Sequence, residues 1–191
     1  MPPWVEDLPE RPTVYATLGT ALTDAHGVFE TIFDALSGED INVIATFGRT
    51  DPTLLGPLPD NVRIERYIPQ TLILPLCDAV IVHGGYGSVM KAIRRGLPLV
   101  VVPMVALDNR LNADRVASLG AGVTIHPEER SSAAIIRDAV RAVLTEPSYR
   151  EAARSVAVSV TTLPPLEEAA RLIEQLSTTR RPVPAIPPDS A

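Results

Sequence analysis

Apolar and polar positions along the chain fall into two kinds of short run. Thr13–Leu18, Ile41–Phe47 and Val62–Tyr67 are β-branched or alternating, and each predicts a strand. Ala79–Val82 and Leu99–Val102 are apolar throughout, the latter stopped by Pro103, and Val123–Ile125 is a last short strand. Between them Val28–Leu36, Ser88–Arg95 and Asn109–Leu119 carry helical spacing. Gly96 and Gly120 close the second and third of these helices at the C-cap position. Thr71–Leu76 suits a short helix, and Pro52, Gly56, Pro57 and Pro59 mark a turn-rich stretch before the third strand. Beyond the last strand the pattern is helical: Ala133–Leu144, capped by Ser131 or Ser132, then Tyr149–Val160 and Leu166–Leu176. Residues 1–11 are polar and Pro-rich and read as a leader or interdomain linker, and residues 179–191 lack periodicity and read as a disordered tail. Residues 12–178 are left as one domain.

Strands that alternate with helices, two of them apolar on both faces, predict an α/β fold with a doubly wound parallel sheet and extra C-terminal helices. In such a sheet ligands bind beyond the carboxyl ends of the strands, where the strand order reverses. Composition narrows the function classes. The 191 residues are 46% hydrophobic and 21% charged, as in a globular domain. A net charge of −6 with 4% aromatics argues against nucleic-acid binding. The single cysteine, Cys77, excludes an internal disulfide framework and a cysteine-based zinc site. No signal-peptide pattern and no apolar run near the ~20 residues of a membrane span are present, so a cytoplasmic protein is expected.

Three strand-end loops carry the candidate chemistry. His83-Gly-Gly-Tyr-Gly-Ser88 lies between a strand and a helix. Glycines at 84, 85 and 87 clear side chains from the backbone, and the helix behind them points unpaired N–H groups at the loop. Together they form an anion site, to which Ser88 adds a hydroxyl and His83 an imidazole N–H. The same glycines also suit a tight turn and nothing more. The loop is neither a dinucleotide GxGxxG nor a Walker loop. Asp108 and Asn109, at the end of the second loop, can hydrogen-bond sugar hydroxyls, and Asp108 can equally cap the helix. The hydroxyls of Thr17-Leu-Gly-Thr20 face a phosphate or make a turn.

Taken together, Tyr67-Ile-Pro-Gln through His83-Gly-Gly-Tyr-Gly-Ser88, Gly96-Leu-Pro-Leu-Val-Val-Val-Pro103, Asp108-Asn-Arg-Leu-Asn-Ala-Asp-Arg-Val116 and Gly120-Ala-Gly122 resemble a known signature. It is that of the C-terminal domain of GT-B glycosyltransferases, the macrolide, polyketide and enediyne antibiotic enzymes related to plant UDP-glycosyltransferases. The likeness spans roughly residues 12–178. It implies a Rossmann-like domain that binds a nucleoside diphosphate-sugar, without a metal, for transfer to a small natural-product acceptor. By resemblance Tyr67 stacks on the pyrimidine, Ile68 offers backbone groups to the base edge, and His83 contacts the diphosphate. Gly84, Gly85, Gly87 and Ser88 belong to the loop that cradles it, Asp108 and Asn109 hold the sugar, and Thr20 lines the mouth. Asn109 stands where the family usually has Gln.

Members that use UDP-sugars often carry a glutamate eight residues after the histidine, bonded to the ribose hydroxyls. Here that position is Lys91, which points to a dTDP-sugar or to a merely solvated helix residue. The resemblance places the acceptor site and its catalytic base in a separate N-terminal domain. His26, near the predicted cleft, and His126, after the last strand, are the other histidines, and the base stays unassigned. The chain is expected to be a donor-binding half, inactive alone, whose last helix leaves an apolar face open to a partner or to self-association. A donor-binding subunit of a split N-acetylglucosaminyltransferase and a non-catalytic nucleotide-binding module remain as alternatives. A GT-B-like 2-epimerase would need catalytic groups from two domains, and a nicotinamide dehydrogenase half would need GxGxxG after the first strand.

Overall fold

The structure is a computed structural model that describes residues 2–19, 26–48, 55–104, 106–162 and 166–182. Six runs rich in Val, Ile, Ala and Thr form strands β1 (Thr13–Thr17), β2 (Asn42–Thr46), β3 (Val62–Glu65), β4 (Ala79–Val82), β5 (Leu99–Val101) and β6 (Gly122–Thr124). All pair in parallel, in the order β3-β2-β1-β4-β5-β6. The order reverses at β1. The chain steps outward through β2 and β3, then returns to the other side of β1 with β4. Among the described residues seven helices cover the sheet or follow it: α1 (His26–Leu36), α2 (Gln70–Ile73), α3 (Tyr86–Ile93), α4 (Leu107–Ser118), α5 (Ala133–Thr145), α6 (Pro147–Thr161) and α7 (Leu166–Thr179).

Side chains of a strand alternate between faces, so each strand feeds two cores. Val14, Ala16, Ala79, Ile81, Val100 and Val102 meet Phe29, Ile32 and Leu36 of α1 and Ile136, Val140 and Val143 of α5. Phe29 stacks on Phe47 at 4.0 Å between ring centroids. On the opposite face Tyr15, Val80, Val82, Leu99 and Val101 meet Ile73 of α2, Val89 and Ile93 of α3, Val116 of α4 and Ala153 of α6. Ser132 caps α5, its hydroxyl accepting the Ile135 N–H at 3.4 Å. Gly96 and Gly120 take positive φ, +65° and +66°, to end α3 and α4. Asp78 joins β4 to β1 at the far end from the ligand side: its carboxylate accepts the Thr13 N–H at 2.9 Å, and Arg150 holds it from α6 at 3.2 Å.

Several boundaries depart from the sequence pattern. β3 stops at Glu65, because the Arg66 carbonyl already accepts the Gly48 N–H and Ile68 turns into the core. Tyr67 is therefore a loop residue. α3 begins at Tyr86, two residues before Ser88, since the Gly85 carbonyl accepts the N–H groups of both Ser88 and Val89. α4 begins at Leu107 behind Ala106, so Asp108 lies inside the first turn and makes no cap hydrogen bond, which removes its capping role. α7 continues to Thr179, and residues 183–191 lie outside the described residues. Within the Pro-rich N-terminal segment, Pro3–Asp7 forms a 3-10 turn whose Trp4 packs against the second core. Along α7 Ile173 and Leu176 are exposed, as the expected open apolar face requires. Among the described residues no helix is long and apolar enough to cross a membrane.

Gly122 tests the packing of β6 on β5. A Cβ there would sit 2.1 Å from the Leu99 carbonyl oxygen, which is sheet backbone and has no room to yield. Gly122→Ala should cost about 2–3 kcal/mol in urea denaturation, as overpacked cores do. Gly56→Ala, whose Cβ meets nothing within 4 Å, should leave stability nearly unchanged.

Candidate functional site

The carboxyl ends of β1, β2 and β4 open into a cleft of about 660 Å³ at the strand-order reversal. Tyr67, Ile68, His83, Gly85, Gly87, Ser88, Asp108 and Asn109 all line it. The fold therefore brings together residues up to 42 positions apart (Tyr67 to Asn109). Gly84 lies beneath the wall instead. A Cβ on it would meet the Asn109 carbonyl oxygen at 2.4 Å, and its own carbonyl accepts the Asn112 amide at 2.7 Å. Its part is to seat the β4–α3 loop on the first turn of α4. Thr20 lies outside the described residues.

His83 is the first residue after β4, and its imidazole is wedged between two glycines. A Cβ on Gly85 would come within 2.4 Å of Nε2, and one on Gly19 within 2.9 Å of Cε1. Gly85 is thus needed for the ring as well as for the bare backbone beside it. Among the described residues Nδ1 is buried without a well-formed hydrogen-bond partner. Burial pushes the His83 pKa below its ordinary 6.5, while the nearby Thr17 backbone, without a well-formed hydrogen bond, and the Asp108 charge pull it upward. The ring is therefore a neutral imidazole at pH 7, with one N–H to donate.

Beside it α3 presents its N-terminus. Gly85 is the N-cap, and the Ser88 and Val89 N–H groups turn back to its carbonyl at 3.1 Å. The Tyr86 and Gly87 N–H groups find no backbone acceptor among the described residues, and a Cβ at Gly87 would meet only open space. The start of an α-helix with free amides and no side chain over them favours an anion. Lys91, one turn further on, is exposed and lines the same wall. Asp108 is exposed in the first turn of α4, where the helix dipole supports its charge, whereas Asn109 is buried to 5%. The cleft thus has a hydrogen-bonding carboxylate on one side and amide donors with a cation on the other.

The floor holds groups to which the sequence reading attached no role. The Tyr15 hydroxyl and Thr46 Oγ1 lie 2.6 Å apart, and burial raises the Tyr15 pKa. The Gln70 amide donates to Ser88 Oγ at 3.2 Å, while Gln70 Oε1 is buried without a well-formed hydrogen bond among the described residues. Arg66 and Tyr86 complete the mouth. Only Thr46, the last residue of β2, and Arg66, just past β3, left a signal, as polar residues at strand ends. Of the remaining histidines, His26 is the first residue of α1, and His126 caps the 3-10 turn Pro127–Glu129 and has its N–H on Glu129 Oε2 at 2.9 Å. No group of three or more His, Cys, Asp or Glu side chains among the described residues is placed to hold a metal ion.

A six-stranded parallel, Rossmann-like sheet in this strand order is the architecture of the C-terminal half of a GT-B glycosyltransferase. Residues 30–176 match the family described as "Erythromycin biosynthesis protein CIII-like, C-terminal domain", and the chain belongs to that family. It is 43% identical over 150 residues to 4'-demethylrebeccamycin synthase of Lentzea aerocolonigenes, covering 78% of this chain and 35% of that relative. Among solved structures it superposes on the calicheamicin glycosyltransferase CalG4 with a TM-score of 0.80 at 30% identity, over 95% of this chain and 46% of CalG4. It matches the glycosyltransferase VinC in complex with dTDP with a TM-score of 0.79 at 29% identity, over 93% of this chain and 44% of VinC. The chain thus spans less than half the length of each of these relatives.

The half-buried ring of His83 has a titration to match. Its folded pKa lies below the unfolded value of 6.5, so folding favours the neutral form. The stability this contributes is present above pH 6.5 and is lost as pH falls through the folded pKa. An NMR titration should place the His83 midpoint below 6.5, and His83→Gln should flatten that part of the stability–pH curve. A midpoint at or above 6.5 would contradict the desolvated, neutral ring.

Proposed function

We propose that this cleft binds the nucleoside diphosphate of a sugar donor, a dTDP-sugar, for metal-independent glycosyl transfer to a small natural-product acceptor. The observation that carries it is the pairing of His83, wedged between Gly19 and Gly85, with the open N-terminus of α3 in one cleft. Tyr67, 72% exposed at the mouth, stacks on the pyrimidine, and the Ile68 backbone meets the base edge. The amides of Tyr86 and Gly87, the Ser88 hydroxyl, the His83 N–H and Lys91 hold the diphosphate. Asp108 accepts hydrogen bonds from sugar hydroxyls, with Asn109 beside it on the wall.

Charge accumulates on the diphosphate as the glycosidic bond breaks. Donors already fixed by the fold stabilise that charge without reorganising, which lowers the barrier more than it tightens ground-state binding. In this reading the task falls to the amides, His83 and Lys91. The acceptor hydroxyl must also lose a proton. No residue of the cleft is assigned that step, because His83 is engaged with the diphosphate and Asp108 with the sugar. The base and the acceptor site belong to a further domain or a partner chain, and the donor half is inactive without it. The exposed Ile173 and Leu176 of α7 offer such a partner an apolar surface.

Lys91 selects the nucleotide. A carboxylate at its position would accept bonds from the ribose 2′-OH, and a lysine cannot. Titration calorimetry should therefore show dTDP bound at least as tightly as UDP, and UDP tighter by about tenfold or more would overturn the preference. His83→Ala should weaken dTDP by about tenfold or more, the usual consequence of losing a hydrogen bond to a charged group. Gly87→Ala should weaken dTDP without lowering the melting temperature, since its Cβ meets the ligand alone. Unchanged affinity in both variants would remove the diphosphate from this loop.

A further inference from the structure

Trp4, the only tryptophan of the chain, lies in the segment that the sequence marks as a leader or linker. The structure builds it into the fold. Its indole Nε1 donates to Glu65 Oε1 at 2.7 Å, and the Arg63 guanidinium lies over its ring at 5.4 Å from the centroid. Arg63 and Glu65 are two apart on β3 and so share one face of the sheet. One grips the ring face through a cation–π contact, and the other grips its edge through a charge-assisted hydrogen bond. Trp4 and Leu8 also pack against the second core, the cluster that contains Ile68.

The other end of the segment is pinned as well. Asn42, 3% exposed at the start of β2, donates to the Pro9 carbonyl at 2.9 Å and accepts from Arg11 Nε at 2.8 Å. The Asn42 N–H bonds the Pro12 carbonyl at 2.8 Å. Residues 4–12 are thus a strap tied to β2 and to the end of β3. Glu65 is the last residue of β3 and stands two residues before Tyr67. Neither Trp4 nor Glu65 lines the cleft.

We infer that the strap is a positioning element for nucleobase recognition, with Trp4 and Glu65 holding the end of β3 so that Tyr67 and Ile68 are set for the base. This rests on the reading of Tyr67–Ile68 as the nucleobase platform. The loop after an edge strand has a neighbouring strand on one side only, and here Trp4 restrains it from the sheet face. Trp4 acts through Glu65 and through the packing around Ile68, and neither Trp4 nor Glu65 touches the ligand. Their effect therefore belongs to the base part of the ligand and not to the diphosphate.

Calorimetry of the full chain with dTDP and with inorganic pyrophosphate separates the two. Trp4→Ala and Glu65→Ala should weaken dTDP about fivefold and leave pyrophosphate within about twofold, as the loss of one supporting hydrogen bond predicts. Glu65→Gln still offers the indole a carbonyl oxygen and should bind dTDP like the unmodified chain. Trp4→Phe keeps a ring beneath Arg63 and loses only the N–H, so it reports the same split should the alanine variant unfold. Equal losses for both ligands would mean that the strap merely stabilises the domain and would overturn the inference, as would dTDP affinity unchanged in every variant. If the unmodified chain binds pyrophosphate as tightly as dTDP, the nucleobase platform itself fails. That failure appears before any substitution is made and so is distinguishable from failure of the strap.

Discussion

The imidazole of His83 between Gly19 and Gly85 is the constraint on which the cleft depends. β1 and β4 are neighbours in the sheet, yet the chain leaves them for opposite sides, so the loops that follow must part. The ring fills the gap where they part. It fits only because neither flanking residue has a Cβ, each of which would lie within 3 Å of ring atoms. Gly19 is doubly constrained, since its φ of +87° is itself strained for any other residue. Desolvation favours the neutral ring, so on the proposed reading it meets the diphosphate as a fixed N–H donor and not as a mobile charge. Rigid donors of this kind are useful where charge develops during a reaction, because they need no reorganisation.

A second contact keeps the cleft in register. Gly84 lets the β4–α3 loop lie directly on the Asn109 backbone, and Asn112 closes the junction by donating to the Gly84 carbonyl. The N-termini of α3 and α4 are thereby held in a fixed relation by backbone contact. Side chains borne on rigid elements and locked by neighbours keep their geometry better than side chains on free loops. The glycine-rich run is thus three devices in sequence. Gly84 is for packing against α4, Gly85 for the His83 ring, and Gly87, with open space above it, for whatever approaches the helix.

That division of labour marks the limit of what the sequence made legible. The strands and their alternation with helices follow from the apolar pattern: β1, β2, β4 and β5 are buried along their whole length and leave a strong signal, while the partly exposed β3 and β6 are read from alternation and position. So does the position of the cleft, since parallel sheets bind ligands at one end. The three glycines were visible, but their separate tasks depend on which neighbour each faces, and periodicity carries no such information. Helix starts moved by two residues because first-turn hydrogen bonds, as from Ser88 and Val89 to Gly85, are made by the backbone of any sequence. Tyr15–Thr46 and Gln70–Ser88 meet through sheet order and loop curvature, at separations of 31 and 18 residues. Trp4 was hidden for a different reason. A short Pro-rich segment has no periodicity of its own, and its order comes from Glu65, Arg63 and Asn42 elsewhere in the chain.

Net charge was a poor guide to the site for a related reason. The chain carries −6, but among the described residues the cleft wall has Arg66, Lys91 and the α3 amides against one carboxylate, Asp108. A local excess of positive character inside a low-dielectric cleft attracts an anion whatever the outer surface carries. The one carboxylate then gives the cleft a direction. Phosphate oxygens are repelled by Asp108 and drawn to α3 and Lys91, whereas neutral hydroxyls can donate to Asp108 at little electrostatic cost. On the proposed reading a nucleotide-sugar can satisfy the cleft in one orientation only, with its base at Tyr67, its diphosphate on α3 and its sugar at α4. The reverse placement would set phosphate against carboxylate and leave the α3 amides facing neutral hydroxyls. Orientation is thus enforced by charge as well as by shape. It requires Asp108 to be exposed and uncapped in the first turn of α4, which is where the fold puts it.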